Sequence, residues 1–236
     1  MKKLGFALVI AGALVVPRGA EAAHLQGLFT AVGIEDVMVT GAMINFGQVG
    51  DNFSTPVGDL EFISGTGSFA AYSNQAPGTV KDLNLGVQPV GTPFTLNNFI
   101  VNPLTPTFNF RLEFIDPGVG TLAGCNNLAG SVCTPPGSPF TIVNVSNNSS
   151  IVSLNVRGTL VDGSAEGSPF TGVFSTQFST MTAGEILAQL SAQGFIKSTQ
   201  SSEFTISPGA VIPEPASLLL FGTGLAALAR RRRKQA

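Results

Sequence analysis

The sequence has no tryptophan, one tyrosine (Tyr72), one histidine (His24) and two cysteines (Cys125 and Cys133), and only 11% of its 236 residues are charged. These shortages remove most catalytic and metal-binding repertoires. A single histidine near the N-terminus leaves no base for a Ser-His-Asp or Cys-His centre, because a base must be held within hydrogen-bond reach of its nucleophile. If cleavage placed His24 at a mature amino terminus, a copper brace would still need a second histidine, and the chain has none. Missing tryptophan and a lone tyrosine leave little of the amphipathic ring surface that sugars and aromatic ligands favour, and the 18 phenylalanines read as core. No catalytic residue, metal site or cofactor is therefore expected. What is present is 44% hydrophobic residues, 28 Gly and 15 Pro, the composition of an ordered, turn-rich chain.

Positive charge is scarce where it would matter for nucleic acid. Eight of the twelve basic residues lie at the two ends, and residues 23–210 hold four (Lys81, Arg111, Arg157, Lys197) against twelve acidic residues, a net charge of −8. Four scattered cations cannot form the basic stripe that neutralises phosphates, so no nucleic-acid partner is expected.

The ends read as targeting segments. Lys2 and Lys3 precede an uncharged apolar run from Leu4 to Val16, and Ala20-Glu21-Ala22 supplies a small-x-small pattern behind it. This is the build of a secretory signal peptide over residues 1–22, with cleavage after Ala22 or Ala23. At the other end, Pro213-Glu214-Pro215 is followed by an uncharged run from Ala216 to Ala229, then by Arg230, Arg231, Arg232, Arg233 and Lys234. As a helix that run spans about 21 Å, short of the ~30 Å hydrocarbon core. The arginine block resists translocation and reaches toward headgroups, which holds it on the cytoplasmic side and leaves the body facing outward. The two prolines cannot continue a helix and keep Glu214 in extended chain.

This arrangement of Pro213, Glu214 and Pro215, apolar run and Arg230 to Arg233 resembles the PEP-CTERM sorting signal of exported proteins of Gram-negative bacteria. The resemblance implies processing by an exosortase-like membrane enzyme, a transient stay in the inner membrane, and a setting of extracellular polysaccharide and biofilm. It further implies that Pro213 to Pro215 are the recognised motif and Arg230 to Arg233 the membrane stop. The two-cysteine loop followed by Thr134 to Phe140 is similar to the central region of a set of such proteins, which implies one domain over 23–207 and a linker with sorting segment over 208–236.

The body reads as an all-β domain, an antiparallel β-sandwich or open barrel with one short helix. From Thr107 to Phe114, Phe108, Phe110, Leu112 and Phe114 alternate with polar residues, the pattern of a half-buried strand. Further strands are expected over Val37–Phe46, Leu60–Ile63, Ser68–Tyr72, Val80–Leu85, Phe94–Val101, Phe140–Val145, Ile151–Leu160, Phe170–Phe178 and Phe204–Ser207. About ten short strands between turns fit a sandwich or barrel. Pro135-Pro136-Gly137 is turn chemistry. A helix is expected over Ala183–Gln193, with Thr182 and Glu185 as a capping box and Gly194 at its end; its stripe of Ile186, Leu187 and Leu190 reads as core cover.

Cys125 and Cys133 enclose seven residues in a chain bound for an oxidising compartment, so a disulfide is expected. Carboxylates (Asp51, Asp59, Glu61, Asp82, Glu113, Asp116, Asp162, Glu166) are numerous, but no spacing selects an acid–base pair. Asp162 to Gly167 lacks the alternating ligands of a calcium loop and reads as a hairpin turn. The chemistry left points to a non-catalytic surface or matrix protein with a structural or adhesive role. A carbohydrate-binding module using polar loops such as Asn126-Asn127 or Ser146 to Ser150 is the alternative, and a carboxylate-dependent glycoside hydrolase a third.

Overall fold

The computed structural model describes residues 24–72, 76–102, 109–161 and 167–208. The signal segment, Ala22 and Ala23, Asp162 to Glu166, and the tail with Pro213 to Pro215 and Arg230 to Arg233 lie outside these residues. In chain order the strands are β1 (Gly27–Gly33), β2 (Val37–Thr40), β3 (Met43–Phe46), β4 (Val57–Gly65), β5 (Ala76–Lys81), β6 (Leu83–Asn84) and β7 (Leu96–Val101). There follow β8 (Asn109–Ile115), β9 (Val132–Cys133), β10 (Phe140–Ser146), β11 (Ser149–Val161), β12 (Ser168–Phe178), helix α1 (Ala183–Gln193), β13 (Phe195–Ser198) and β14 (Ser201–Ile206).

Eight of these strands form a closed antiparallel barrel. Their spatial order, β1-β4-β5-β7-β8-β11-β12-β14 and back to β1, is also their chain order, and the β11–β12 pairing completes the ring. Of the two expected architectures the barrel is the one realised. Full closure leaves no strand edge open around the ring. Because the strands alternate in direction, their connections alternate between the two ends. Among the described residues every substantial insertion falls at one end: β2 and β3 after β1, β6 after β5, β9 and β10 after β8, and α1 with β13 after β12. The other end holds residues 24–26, the 3₁₀ turn Gly67–Tyr72 and residues 207–208.

The barrel interior is filled mainly by phenylalanine. Phe29 stacks on Phe204 with ring centroids 4.8 Å apart, and meets Phe62, Phe69 and Phe110 at 5.2–5.4 Å. An eight-stranded barrel is just wide enough for side chains to fill it, provided large rings face small residues. Gly172 supplies such a gap, since a Cβ there would collide with the Phe204 ring. Phe69, on the 3₁₀ turn, is 1% exposed and plugs the termini end.

Several sequence expectations hold. Strands lie over Leu60–Ile63, Phe140–Val145, Ile151–Leu160 and Phe170–Phe178, and α1 has the expected bounds. Others are corrected. Val37–Phe46 is two strands, because the Thr40 hydroxyl accepts from the Ala42 and Met43 amides and turns the chain at Gly41. Val80–Leu85 is divided between β5 and β6, which belong to different sheets. At the break, the Asp82 carboxylate accepts from the Phe46 amide. Ser68–Tyr72 is part of a 3₁₀ turn, not a strand: Gly67 has φ +58° and the Phe69 amide bonds back to Thr66. Phe114 does not share the inward face of Phe110 and Leu112. A bulge opposite Arg157 and Gly158 shifts the register, so that Ile115 is buried and Phe114 faces outward beneath the Arg157 guanidinium at 4.3 Å. β1, β9 and β13 had no clear sequence signal.

Candidate functional site: the capped mouth of the barrel

The insertions build a cap. β13, β2, β3 and β6 form a separate four-stranded antiparallel sheet, while β10 and β9 extend the main sheet from the upper half of β11. β11 spans thirteen residues, long enough to pair with β8 along its lower half and with β10 along its upper half.

Three devices hold the cap rigid. The first is the expected disulfide between Cys125 and Cys133, which closes a loop whose second cysteine is fully buried. The second is Asn144, 1% exposed. Its Nδ2 donates to the Asn126 and Leu128 carbonyls at 2.7 and 3.1 Å, and its Oδ1 accepts from the Ala183 amide at 2.7 Å. One buried amide thus ties the disulfide loop and the start of α1 to β10 with its polar atoms satisfied. The third is the α1 capping box. The Glu185 carboxylate accepts from the Thr182 amide at 2.8 Å, and the Thr182 hydroxyl lies 2.8 Å from both that carboxylate and Asn127 Oδ1. Hydrogen bonding from the Thr182 backbone, then from its hydroxyl, holds the Glu185 carboxyl below the usual carboxylate range. Gly194 closes the helix in the left-handed conformation, φ +79°.

Between cap and barrel lies a cavity of about 260 Å³. Its floor includes Phe46, Leu154 and Phe174 of the barrel core; its walls include Ile186, Leu187 and Leu190 of α1 and the turn Pro135–Pro139. The Ser138 amide bonds to the Pro135 carbonyl with Gly137 at φ +74°, which fixes that turn. The α1 stripe is thus not simply core cover, since it walls an open chamber. Among the described residues, none of the lining side chains is charged. Two polar atoms of lining residues, Gln200 Oε1 and Thr176 Oγ1, are buried with no hydrogen-bond partner among the described residues.

The carboxylates go elsewhere. Asp51 accepts from the Phe53 and Thr55 amides at 2.8 and 2.9 Å and from the Thr55 hydroxyl, and this last bond leads the effects that lower its pKa. Asp59 accepts from the Val49 amide. These bonds strap the loop 47–55. Burial pushes the Asp82 carboxyl up to about 6, against the pull of its bond from the Phe46 amide, with the Asp51 charge adding to the rise. Glu113 pairs with Arg111, and Asp116 with Arg157, each at 2.7 Å. Among the described residues there is no cluster of three or more histidine, cysteine or carboxylate side chains placed to hold a metal ion. The Asn126 side chain bonds Leu128, Ser131 and Ala123, and Ser146 bonds Asn148 and Ser149, so these polar loops satisfy one another. Thr176 falls within the expected strand Phe170–Phe178 and shares the face of Phe170, Phe174 and Phe178, but neither Gln200 nor Asn144 was among the residues singled out from the sequence. An asparagine at an inward position after Ile142 was a readable signal; Gln200, in a polar stretch, offered none.

Residues 211–234 match the family model described as the PEP-CTERM protein-sorting motif. The match covers Pro213, Glu214, Pro215 and Arg230 to Arg233. The chain therefore carries a motif that implies export, membrane anchoring at the C-terminus during sorting, and processing by an exosortase membrane enzyme. No curated protein matches the chain, and no solved structure matches it.

Proposed function

We propose that the chain is a non-catalytic surface or matrix protein with a structural or adhesive role, displayed cap outward from the membrane during sorting and then resident at the cell surface of a Gram-negative bacterium or outside it. One observation carries this reading. Of the twelve exposed large hydrophobic residues among the described ones, ten lie on the cap insertions or at the cap end, including Val119 (68%), Leu128 (67%) and Leu122 (60%). Only Ile63 and Val173 lie along the barrel wall, and the chain leaves for the sorting motif from the opposite end. Apolar side chains concentrated away from the membrane fit a contact surface for the matrix. The extracellular polysaccharide, with its apolar sugar faces, is the partner this reading implies.

The test compares intact mass and location of the protein from its producing cells with a variant carrying alanine at Pro213, Glu214 and Pro215. The reading expects a native species that begins near Ala23, lacks Arg230 to Arg233 and lies outside the inner membrane, with the variant retained in the membrane. Both forms keeping the arginines and staying membrane-bound would overturn it.

A further inference from the structure

We infer that the cavity beneath the cap is a binding site for a small uncharged molecule with a flat apolar body and one hydroxyl or similar hydrogen-bonding group. Protein interiors are packed with few voids larger than a water molecule, and the lower barrel obeys that rule with rings in contact. The upper chamber departs from it. It lies where two apolar clusters would otherwise meet: Phe46, Leu154 and Phe174 on the barrel side, Ile142, Ile186 and Ile196 on the cap side. The cap that keeps them apart is fixed by a disulfide, a satisfied buried amide and a capped helix, so the chamber cannot readily collapse.

Size and chemistry narrow the ligand. A dry apolar cavity of about 150 Å³ holds benzene, so 260 Å³ has room for a bicyclic skeleton. A lining without charged side chains would leave an ionic group uncompensated, which excludes carboxylates, sulfonates and ammonium groups. Gln200 is 7% exposed, and its Oε1, like Thr176 Oγ1, has no partner among the described residues. Buried polar atoms are almost always paired, and a ligand that supplies the missing partner gains in affinity over one that does not. A hydroxyl both donates and accepts, so it satisfies the Gln200 amide in either orientation. Thr176 sits on the same inward face of β12 as Phe174 and Phe178, which directs its hydroxyl to the apolar interior.

The test uses the full chain in lipid nanodiscs, with empty nanodiscs subtracted, and three probes: 2-naphthol, naphthalene and naphthalene-2-sulfonate. The inference expects saturable binding of 2-naphthol, about tenfold weaker binding of naphthalene, and none of the sulfonate. Gln200→Leu should erase the preference for naphthol while keeping naphthalene binding. Thr176→Val, which preserves side-chain shape, provides the same comparison should the first variant fail to fold. Leu190→Trp, which fills the chamber, should abolish binding of both while the thermal unfolding transition remains. Equal binding of naphthol and naphthalene to the unsubstituted chain, sulfonate binding as tight as naphthol, or full binding by a folded Leu190→Trp variant would overturn the inference, as would no binding of any probe.

Discussion

The two ends of this barrel are built on opposite plans. At the termini end Phe29, Phe62, Phe69, Phe110, Phe170 and Phe204 fill the interior ring against ring, and the connection that follows β4 folds back as a plug. At the cap end four insertions from distant parts of the chain meet over the mouth, held by directional bonds and a disulfide, and leave a chamber. The difference teaches that once a barrel is closed its wall can be packed from within, while the connections at one end are free to build a separate layer. It also fixes a polarity, since the chain proceeds to its sorting motif from the filled end.

That contrast can be broken most forcefully in the phenylalanine cluster. Phe204→Ala, fully buried in the native chain, should cost about 3–5 kcal/mol in urea unfolding. Leu190→Ala, beside the open chamber, should cost about 1 kcal/mol; equal losses would show that the two ends are packed alike. Next in size is the disulfide. Alanine at both Cys125 and Cys133 should cost about 2.5 kcal/mol by the chain-entropy account of so short a loop. Hydrogen exchange should locate the loosening in residues 118–146 and α1, with β1, β4 and β14 unchanged; loosening of the barrel strands would contradict the division. Thr182→Ala removes the helix cap and should cost about 1 kcal/mol, read as faster exchange in α1 and in the loop around Asn127.

A separate test of the cap end is one of pH. The Asp82 carboxyl titrates near 6 in the fold against 3.8 as a free group, because burial disfavours its charge. The folded state therefore binds the proton more tightly than the unfolded one. Asp82 contributes stability that is present below about 3.8 and lost as pH rises through about 6. Asp82→Asn keeps an acceptor for the Phe46 amide and should flatten the fall in denaturation midpoint between those values. An unchanged slope would assign the dependence to another group.

Much of the barrel wall and of α1 was legible in the sequence, but the contrast between the two ends was not. Alternation of phenylalanine and leucine with polar residues marks the inward face of β8 at Phe110 and Leu112, and Thr182, Glu185 and Gly194 specify α1 because capping is local chemistry. What escaped is non-local. β1 has its apolar residues in adjacent pairs, Leu28-Phe29 and Ala31-Val32, with no clean alternation, and it is held as a strand by β4 and β14 bonding both its edges. The outward turn of Phe114 depends on a bulge set by its neighbour strand. Gln200 meets Thr176 at the chamber only because a closed ring brings the approach to β14 beside β12. The disulfide was readable from spacing and compartment together, and the sorting tail from the order of its three parts.

The most direct test of the polarity uses a dye on a single added cysteine, Ser207→Cys at the filled end or Asn148→Cys at the tip of the β10–β11 turn. The native cysteines are bonded to each other and do not react. β11 alone spans roughly 40 Å at about 3.3 Å per residue. With the full chain in vesicles bearing a headgroup quencher, the account expects strong quenching at position 207 and none at 148. Equal quenching at both, or the reverse order, would contradict it.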